Sequence, residues 1–242
     1  MERIARRHLA RAVADPALRV ALTPDYVLGC KRVLLSNEYY PALAQPSAEV
    51  LATDVRALRG NVVIGHDERE REVDTIILGT GFHVSDPPIA PRIRGTDGRP
   101  LAEIWSGSPE AYRGTTIAGF PNLFFVLGPH LAIGHSSAFI IIEAQLDYVL
   151  SALTAMRRLG LGRVEVRAEA QQAYNTEVQR DLQGTVWNTG GCSSYYLDAN
   201  GRNGIGFPWS TMRMRGSLRE IDLASYETEG RGPLSPAEKA SE

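Results

Sequence analysis

The chain has 242 residues, of which 43% are hydrophobic and 22% are charged, and its formal net charge is -2. This composition is ordinary for a globular protein, and so balanced a charge gives no reason to expect nucleic acid or an anionic membrane as a partner. Two cysteines are too few for a disulfide framework or a metal-ligand cluster, so the default expectation is a cytoplasmic protein without a metal site. No apolar run reaches the roughly 18 residues of a membrane-spanning helix.

Hydrophobic periodicity predicts a mixture of helices and strands. Helices are predicted over residues 2–14, 37–43, 136–159 and 169–181. Strands are predicted over residues 32–35, 49–58, 61–64, 73–78, 122–127 and 164–167. The Gly-, Asn- and Ser-rich segment 184–209 is expected to be an ordered loop, and the tail beyond Glu227 is expected to be frayed.

Two of the predicted strands, residues 73–78 and 122–127, are almost continuously apolar, as strands of a parallel sheet covered on both faces are. Each runs into a glycine bend, and the second bend precedes a long helix that Ser136 or Ser137 could cap and Gly160 could end. Strand, glycine turn and helix together favour a nucleotide-binding α/β fold. The sequence nevertheless contains no G-x-G-x-x-G phosphate-binding motif.

Four strings carry a family resemblance. They are LTPDYVLGCKR with NEYYPAL (22–32 and 37–43), DTIILGTGF (74–82), YRGTTIAGFPNLFFVLGP with GHSS and IEAQ (112–129, 134–137 and 142–145), and WNTGGCSSYYLDANGRN (187–203). In this order they resemble group B flavoprotein monooxygenases, in the branch of Baeyer–Villiger monooxygenases and flavin-containing monooxygenases. The resemblance covers roughly residues 2–226.

The resemblance implies an α/β fold of two Rossmann-like dinucleotide-binding domains, for FAD and NAD(P), that here lacks its N-terminal FAD βαβ unit. Residues 1–82 resemble the C-terminal part of the NADP-binding domain, and residues 83–242 resemble the C-terminal part of the FAD-binding domain. Full members of the family are about twice this length. A missing N-terminal segment, in a longer gene product or on a companion chain, would then complete the site.

The basic pair Lys31-Arg32 is the first candidate site. By resemblance, Arg32 is the catalytic arginine, which would stabilise a negatively charged oxygen species on the flavin and hold the nicotinamide end of NADP. A guanidinium suits this role because it stays charged at any working pH. Lys31 resembles a lysine that would contact the 2′-phosphate and so favour NADPH over NADH. A solvated basic pair beside a turn is the structural alternative.

The glycine bends are the candidate cofactor-binding segments, because glycine lets the backbone approach a ligand closely. In the resemblance, one bend lies at the crossing between the two domains, and the other lies beside the flavin ring at a helix N-terminus, which favours negative charge. Their candidate residues are Gly79, Thr80, Gly81 and Phe82 in the first bend, and Gly128, Pro129, Gly134, His135 and Ser136 in the second. Tight structural turns without a ligand are the alternative.

The loop after Gly128 departs from the family pattern, because His130-Leu-Ala-Ile133 replaces the Asn-Thr-Gly-Leu that many relatives carry. A general-base role for His130 or His135 is possible in principle, although a loop histidine in such a place is more often a hydrogen-bonding spacer. Trp187 and Tyr195 are the candidate substrate-pocket residues, by resemblance. The polar residues Glu143 and Gln145 of the long helix are expected to face solvent or a domain partner.

The function implied is an FAD- and NADPH-dependent monooxygenase that inserts one oxygen atom of O2 beside a ketone carbonyl, or that oxidises a heteroatom. A non-catalytic remnant or interaction domain without tightly bound FAD is the rival hypothesis for the isolated chain. A third hypothesis is a reductase with two dinucleotide sites. The sequence counts against it because no Cys-x-x-Cys or Cys-x-x-x-x-Cys redox pair is present.

Overall fold

Helices and short antiparallel strands make up the regular structure of the chain. The computed structural model describes residues 1–81, 84–132, 134 and 136–232, and it divides into two compact units, residues 1–82 and 83–242. The helices are α1 (Glu2–Ala12), α2 (Pro16–Ala21), α3 (Tyr39–Leu43), α4 (Leu101–Trp105), α5 (Ala138–Leu159), α6 (Ala168–Leu182), α7 (Val186–Thr189) and α8 (Thr211–Ser217). The strands are β1 (Val55–Arg59), β2 (Val62–Gly65), β3 (Glu70–Glu72), β4 (Leu161–Val166) and β5 (Tyr226–Gly230).

The first unit is built from α1, α2, α3 and an antiparallel meander, in which β2 lies between β1 and β3. Asp15 caps α2 by accepting a hydrogen bond from the backbone N–H of Ala17 (2.9 Å), and Pro16 occupies the first helical position, where its missing N–H is not needed. Helix α1 ends at Ala12, two residues before the predicted end at residue 14, and α2 was not predicted from the sequence.

The second unit is organised around α5. Ser137 caps this helix by accepting from the backbone N–H of Phe139 (3.2 Å), and Gly160 ends it with a φ of 64°, a left-handed conformation that glycine adopts without strain. The buried face of α5 packs against β4, β5 and α8 in the main hydrophobic core. A second cluster, around Leu101, Trp105, Ile117 and Phe120, lies under α4.

Three predictions about the strands are wrong. Residues 32–35, 73–78 and 122–127 form no regular strand, and every strand pair in the described ranges is antiparallel. The tail is ordered further than expected, because β5 pairs with β4 as far as Gly230. Buried parallel strands need a partner on each side, and the described part of the chain supplies none to these segments.

Helix α5 contains no unbroken apolar run of membrane length, because Glu143 and Asp147 interrupt it, but it is long and its mean hydropathy is high. Its 22 residues reach a mean hydropathy of 1.4 over the most apolar window, which is long and apolar enough to cross a membrane by these two criteria alone. A core helix passes the same test, and one face of α5 is indeed buried in the main core.

A buried hydroxyl network joins β5 to α5. The hydroxyl of Tyr226 lies 2.8 Å from the hydroxyl of Tyr148 and 2.8 Å from Oγ1 of Thr116. Replacing Tyr226 by Phe leaves both of these buried groups without that partner, so we expect the free energy of unfolding to fall by about 1–2 kcal/mol. Urea unfolding measures the change. Tyr195→Phe, at an exposed tyrosine, is the matched control and should change stability little.

Candidate functional site

The bend at Gly128 is held against a second turn, residues 112–116. A Cβ at Gly128 would collide with the carbonyl oxygen of Gly114, and a Cβ at Gly114 would collide with the side chain of Leu131. Only glycine lets two backbone segments approach this closely. The two glycines therefore bring the predicted cofactor loop against the Tyr112–Thr116 turn, which has its own bridge between those two residues.

Gln145 of α5 ties these two segments together. Its Nε2 lies within hydrogen-bond distance of the carbonyl oxygens of Gly114 (3.1 Å) and Phe125 (2.9 Å) and of Oγ1 of Thr115 (3.0 Å). Its Oε1 accepts from the backbone N–H of Leu127 (2.7 Å). The side chain is fully buried, so the expectation that Gln145 faces solvent or a domain partner is wrong.

The backbone around the bend is strained. Leu127 and His130 have φ angles of 55° and 59°, in the left-handed region that non-glycine residues rarely occupy. Such conformations cost on the order of 1–3 kcal/mol each and persist where surrounding contacts enforce them. The hydrogen bond from Leu127 to Gln145, and one from the N–H of His130 to the carbonyl of Gly204 (3.0 Å), are such contacts.

The segment 203–207 holds the other side of the loop. Ala132 donates to the carbonyl of Ile205 (2.9 Å) and accepts from the N–H of Phe207 (3.1 Å), which forms a short parallel bridge. The fully buried Asn203 organises this segment: its Oδ1 accepts from the N–H of Gly206 (2.7 Å), and its Nδ2 donates to Oδ1 of Asn188 (2.9 Å). The Gly/Asn-rich segment is therefore an ordered support for the loop.

His130 is fully buried, and neither ring nitrogen has a hydrogen-bond partner in the described part of the chain. Burial, reinforced by the nearby positive charge of Arg202, lowers the pKa of the imidazole from its ordinary 6.5 to about 4. The ring is therefore neutral at physiological pH, and its side chain does not act as the hydrogen-bonding spacer that was expected.

An aromatic stack borders the loop where it enters α5. Trp187 stacks on Tyr196 with ring centroids 5.3 Å apart, and Tyr196 stacks on Tyr195 at 4.6 Å. A Cβ at Gly134 would lie 3.5 Å from Cζ2 of Trp187. The structure thus brings together Gly134 and the two predicted pocket residues, Trp187 and Tyr195, through Tyr196, which the sequence-based site omitted.

Ser136 and Pro129 complete this part of the site. Pro129 is buried, and the hydroxyl oxygen of Ser136 is buried without a hydrogen-bond partner among the described residues, just before the first turn of α5. An unsatisfied hydroxyl beside the free N–H groups of a helix N-terminus offers hydrogen-bonding capacity to a ligand. His135 lies outside the described residues.

In the first unit, the predicted site residues are exposed. Lys31 places its Nζ 4.8 Å from the ring centroid of Tyr26, a cation–π contact, whereas the guanidinium of Arg32 has no ion-pair partner among residues 1–81. The first glycine bend is open: Gly79 and Thr80 are exposed, and Gly81 has a φ of 84° with free space where a side chain would be. Phe82 lies outside the described residues.

Gln145 and Asn203 are the functional candidates that sequence reasoning missed. Gln145 follows Ile141 and Ala144 and precedes Tyr148, so it lies on the apolar face that the helical period of α5 predicts to be buried. A polar residue on a buried face must find hydrogen-bond partners, and this signal was available in the sequence. Asn203 carried no comparable signal, since it lies in irregular backbone.

Comparison with known proteins gives two bacterial relatives that carry the same name. No protein-family model matches the chain. A Baeyer-Villiger monooxygenase of Streptomyces coelicolor is 48% identical over 244 residues, which is 100% of this chain and 47% of that protein. A Baeyer-Villiger monooxygenase of Pseudomonas aeruginosa is 47% identical over 227 residues, 93% of this chain and 43% of that protein. The chain therefore spans just under half the length of these relatives.

Solved structures are likewise similar to nearly all of this chain over less than half of their own length. Cyclohexanone monooxygenase from Rhodococcus sp. Phi1 bound to NADP+ superposes with a TM-score of 0.81 at 25% identity, over 93% of this chain and 44% of that one. An oxidized steroid monooxygenase bound to NADP gives a TM-score of 0.79 at 25% identity, also over 93% of this chain and 44% of that one. The mixed α/β architecture with small sheets agrees with these neighbours.

Removing the Gln145 amide should destabilise the loop. In Gln145→Leu, the backbone groups of Gly114, Phe125 and Leu127 lose their side-chain partner, and we expect a loss of about 2–4 kcal/mol in the free energy of unfolding. Hydrogen exchange at the Leu127 amide should accelerate as well. Gln172→Leu, at an exposed glutamine of α6, is the matched control. Equal effects of the two substitutions would contradict the role given to Gln145.

Burial of neutral His130 should make stability depend on pH. Because its folded-state pKa is about 4 and its ordinary value is 6.5, the unfolded state binds more protons between these values. The stabilisation that comes from burying a neutral imidazole is complete above about pH 6.5. It is lost as the pH falls towards 4, and the free energy of unfolding then decreases by about 3 kcal/mol in all. His130→Asn, which tolerates the left-handed backbone and cannot titrate, should lose correspondingly less. Denaturation at a series of pH values compares the two proteins, and parallel curves would contradict the prediction.

Proposed function

The chain belongs to the family of Baeyer–Villiger monooxygenases, and from this we propose that it is the C-terminal part of an FAD- and NADPH-dependent monooxygenase. The reaction would insert one oxygen atom of O2 beside a ketone carbonyl, or transfer it to a heteroatom. Support comes from the two bacterial relatives, each 47–48% identical and named for this activity. Relatives named FAD-binding monooxygenases, and neighbours solved with NADP, support the two cofactors.

We assign the two units to the two dinucleotide-binding domains of such an enzyme. Residues 1–82 would close the NADP-binding domain, and residues 83–242 would close the FAD-binding domain. The division of the chain at this position, and the share of just under half that it spans in its relatives, support the assignment. The remaining portion would carry the N-terminal FAD βαβ unit with its phosphate-binding loop, which this sequence lacks. Nothing in the comparisons points to a separate companion chain as its source.

The observation that carries the proposal is the arrangement around the start of α5. Three features meet there: a strained glycine bend, the unpartnered hydroxyl of Ser136, and the stacked rings of Trp187, Tyr196 and Tyr195. A flat aromatic cofactor with an electron-rich edge fits these features, because rings stack on rings and a helix N-terminus attracts negative charge. The residues present therefore fit FAD.

These residues would hold the isoalloxazine part of the cofactor. The backbone at Gly128 and Gly134 would approach the cofactor closely, because no side chain intervenes. Pro129 would stiffen the segment before α5, and Ser136 and the neighbouring His135 would form hydrogen bonds there. The first bend, Gly79–Phe82, would contact cofactor at the domain crossing. When bound, the flavin would supply the redox chemistry, with NADPH as electron donor and O2 as oxidant.

Arg32 would be the catalytic residue of the first unit. Its guanidinium has no carboxylate partner in the described residues of that unit, so its charge is available to a ligand. A planar fork of donors can hold the carboxamide end of a nicotinamide and stabilise negative charge that develops on oxygen during the reaction. Lys31 would meet the 2′-phosphate of NADPH, exchanging its contact with Tyr26 for a stronger ion pair.

The substrate would lie against the aromatic stack. Tyr195 is half exposed and Trp187 is partly buried, while Tyr196 behind them is buried. Aromatic walls give an apolar surface for a ketone or a thioether, and they help to exclude water. Trp187 and Tyr195 are therefore proposed as substrate-pocket residues, with Tyr196 as their support.

The test uses a full-length enzyme in which the remaining portion of the Streptomyces coelicolor relative is joined ahead of Met1. We expect it to bind FAD and to convert ketones or sulfides with NADPH. Arg32→Ala should leave flavin absorbance unchanged and lower the rate of oxygenated product formation about 100-fold or more, because a charge-stabilising donor is lost. Product is measured by gas chromatography.

Arg32→Lys keeps the positive charge but loses the planar set of guanidinium donors. It should therefore restore at most part of the activity. The 242-residue chain alone is the negative control and should bind flavin weakly. Undiminished product formation by Arg32→Ala would remove Arg32 from the mechanism. If the flavin-loaded parent enzyme formed no oxygenated product from either ketones or sulfides, the monooxygenase proposal itself would be overturned.

A further inference from the structure

Five redox-active aromatic side chains follow one another through the second unit. We call them the aromatic relay, and from the buried end outwards they are Tyr148, Tyr226, Tyr112, Tyr174 and Trp209. The hydroxyl oxygens of the first two lie 2.8 Å apart, and the ring centroids of the next three pairs in this order lie 6.1, 5.6 and 6.1 Å apart. Phenol and indole rings give up an electron far more readily than phenylalanine or aliphatic side chains, and contacts this close let an electron pass from ring to ring.

The buried end of the aromatic relay lies behind the candidate cofactor loop. The hydroxyl of Tyr226 lies 2.8 Å from Oγ1 of Thr116. The preceding residue, Thr115, is bonded through its Oγ1 to Nε2 of Gln145, the side chain that holds the glycine bend. Tyr148 follows Gln145 by about one turn of α5. The relay therefore begins one layer of side chains away from the segment proposed to hold the flavin.

The second cluster, under α4, shows that a tryptophan of this unit need not join such a series. Trp105 has Phe125 as a ring neighbour, with centroids 6.0 Å apart, and its indole N–H donates to the carbonyl oxygen of Glu110 (2.9 Å). Neither partner readily gives up an electron or takes up a proton. Phenylalanine would also fill the positions of the relay tyrosines without burying hydroxyl groups that need partners. Packing of the core therefore does not by itself require phenol and indole rings in series.

The outer end of the relay has a base beside its ring. The indole N–H of Trp209 donates to Oδ2 of Asp181 at 2.7 Å. The hydrogen bonds from Arg180 and from Trp209 hold the pKa of Asp181 below its ordinary value, so the carboxylate is ionised and can accept a proton. Trp209 is partly exposed, so small reductants in solution can reach it.

The two ends differ in what happens to the proton of an oxidised ring. Burial raises the pKa of Tyr148 and Tyr226, and within the described ranges their hydroxyls contact only each other and Thr116, so no base is there to take a proton. At Trp209, loss of an electron can be coupled to transfer of the indole proton to Asp181. The relay therefore favours oxidation of its outer end.

The surroundings of Trp209 also favour a neutral radical. The guanidinium carbon of Arg213 lies 3.8 Å from the centroid of the Trp209 ring, and its positive charge disfavours a second positive charge on the indole. Transfer of the proton to Asp181 removes that charge. An electron lost from Trp209 thus leaves a neutral indolyl radical beside a protonated carboxyl group.

We propose that the aromatic relay carries one-electron oxidising equivalents from behind the candidate cofactor loop to Trp209, where they are discharged. The source of the oxidant rests on the proposed function: an oxygen radical, formed when O2 is reduced without reaching substrate, takes one electron from the inner tyrosine pair and one proton from solvent. Electrons then pass inwards from Trp209, whose indole proton moves to Asp181. A thiolate in solution returns one electron to the indolyl radical, and Asp181 returns the proton.

The experiment uses the 242-residue chain with a ruthenium polypyridyl photo-oxidant attached at position 147, next to Tyr148, through a ketone-bearing amino acid. After flash photolysis with a soluble electron acceptor, we expect the neutral indolyl radical of Trp209 in transient absorption and electron paramagnetic resonance spectra. Tyr174→Phe keeps the packing of the ring but removes the phenol, so most of this radical should be lost. Asp181→Asn keeps a carbonyl oxygen for the indole N–H but cannot take its proton, and it should abolish the neutral radical.

Tyr39→Phe is the matched control, because it makes the same chemical change at an exposed tyrosine of the first unit. It should leave the yield of the indolyl radical unchanged, and so should Trp105→Phe. Trp209→Phe should abolish the signal, which assigns it to this residue. Melting temperatures of all variants, measured by circular dichroism, separate loss of the relay from loss of the fold.

Two spectroscopic results would overturn the proposal. One is a parent chain in which the radical stays on tyrosine and no indolyl radical forms. The other is an equal yield in the parent and in a folded Tyr174→Phe chain, which would mean that the electron does not pass through Tyr174. Both measurements are made without flavin, so they hold whether or not the monooxygenase proposal does.

The joined full-length enzyme tests the link to oxygen chemistry. During consumption of NADPH and O2 without a ketone, Tyr174→Phe should lose activity faster than the parent enzyme, although both start with the same rate of product formation. Peptide mass spectrometry should find oxidised tyrosine at the inner pair in the variant and oxidised Trp209 in the parent. Equal rates of inactivation would overturn the export of oxidising equivalents, whereas absence of any oxygenated product would instead overturn the proposed function.

Discussion

The buried amide of Gln145 is the interaction on which the candidate site depends. One side chain satisfies backbone groups from the Gly114 turn and from both sides of Phe125–Leu127, and so fixes where the glycine bend lies relative to α5. The strained backbone at Leu127 and His130 persists because these bonds, with those from segment 203–207, enforce it.

The structure also explains why a well-folded unit can expose so much apolar surface. The core-facing side of α5 packs within the chain, whereas large apolar side chains on its opposite side and in two irregular segments are exposed: Phe139, Leu146, Leu150, Leu153, Ile77, Leu78, Val126 and Leu127. The proposal that the chain is part of a longer polypeptide, as long as its relatives are, would account for this imbalance. The same two-sided apolar character gives α5 the mean hydropathy of a candidate membrane span.

Helices α1, α3, α5 and α6 and the family resemblance could be predicted from the sequence, because they depend on local signals, whereas α2, α4, α7 and α8 were not predicted. Ser137 and Gly160 end α5 where capping chemistry predicts, and the four motif strings identify the relatives that the comparisons then returned. Parallel strands were predicted wrongly at residues 73–78 and 122–127, since an apolar run shows that a strand needs burial but not whether its partners are in the same chain. The roles of Arg32, Lys31 and the two glycine bends remain predictions.

The sequence alone determined both ends of α5, the glycine positions and the family resemblance, because capping, backbone freedom and motif order are encoded within a few residues of each other. Only the tertiary structure decided that Gln145 is buried, that the ring of His130 is buried and neutral, and that Tyr196 links Trp187 to Tyr195. The hydrogen bonds of Gln145 span 18 to 31 positions, and the bond from the N–H of His130 to Gly204 spans 74 positions, so no local pattern reports them.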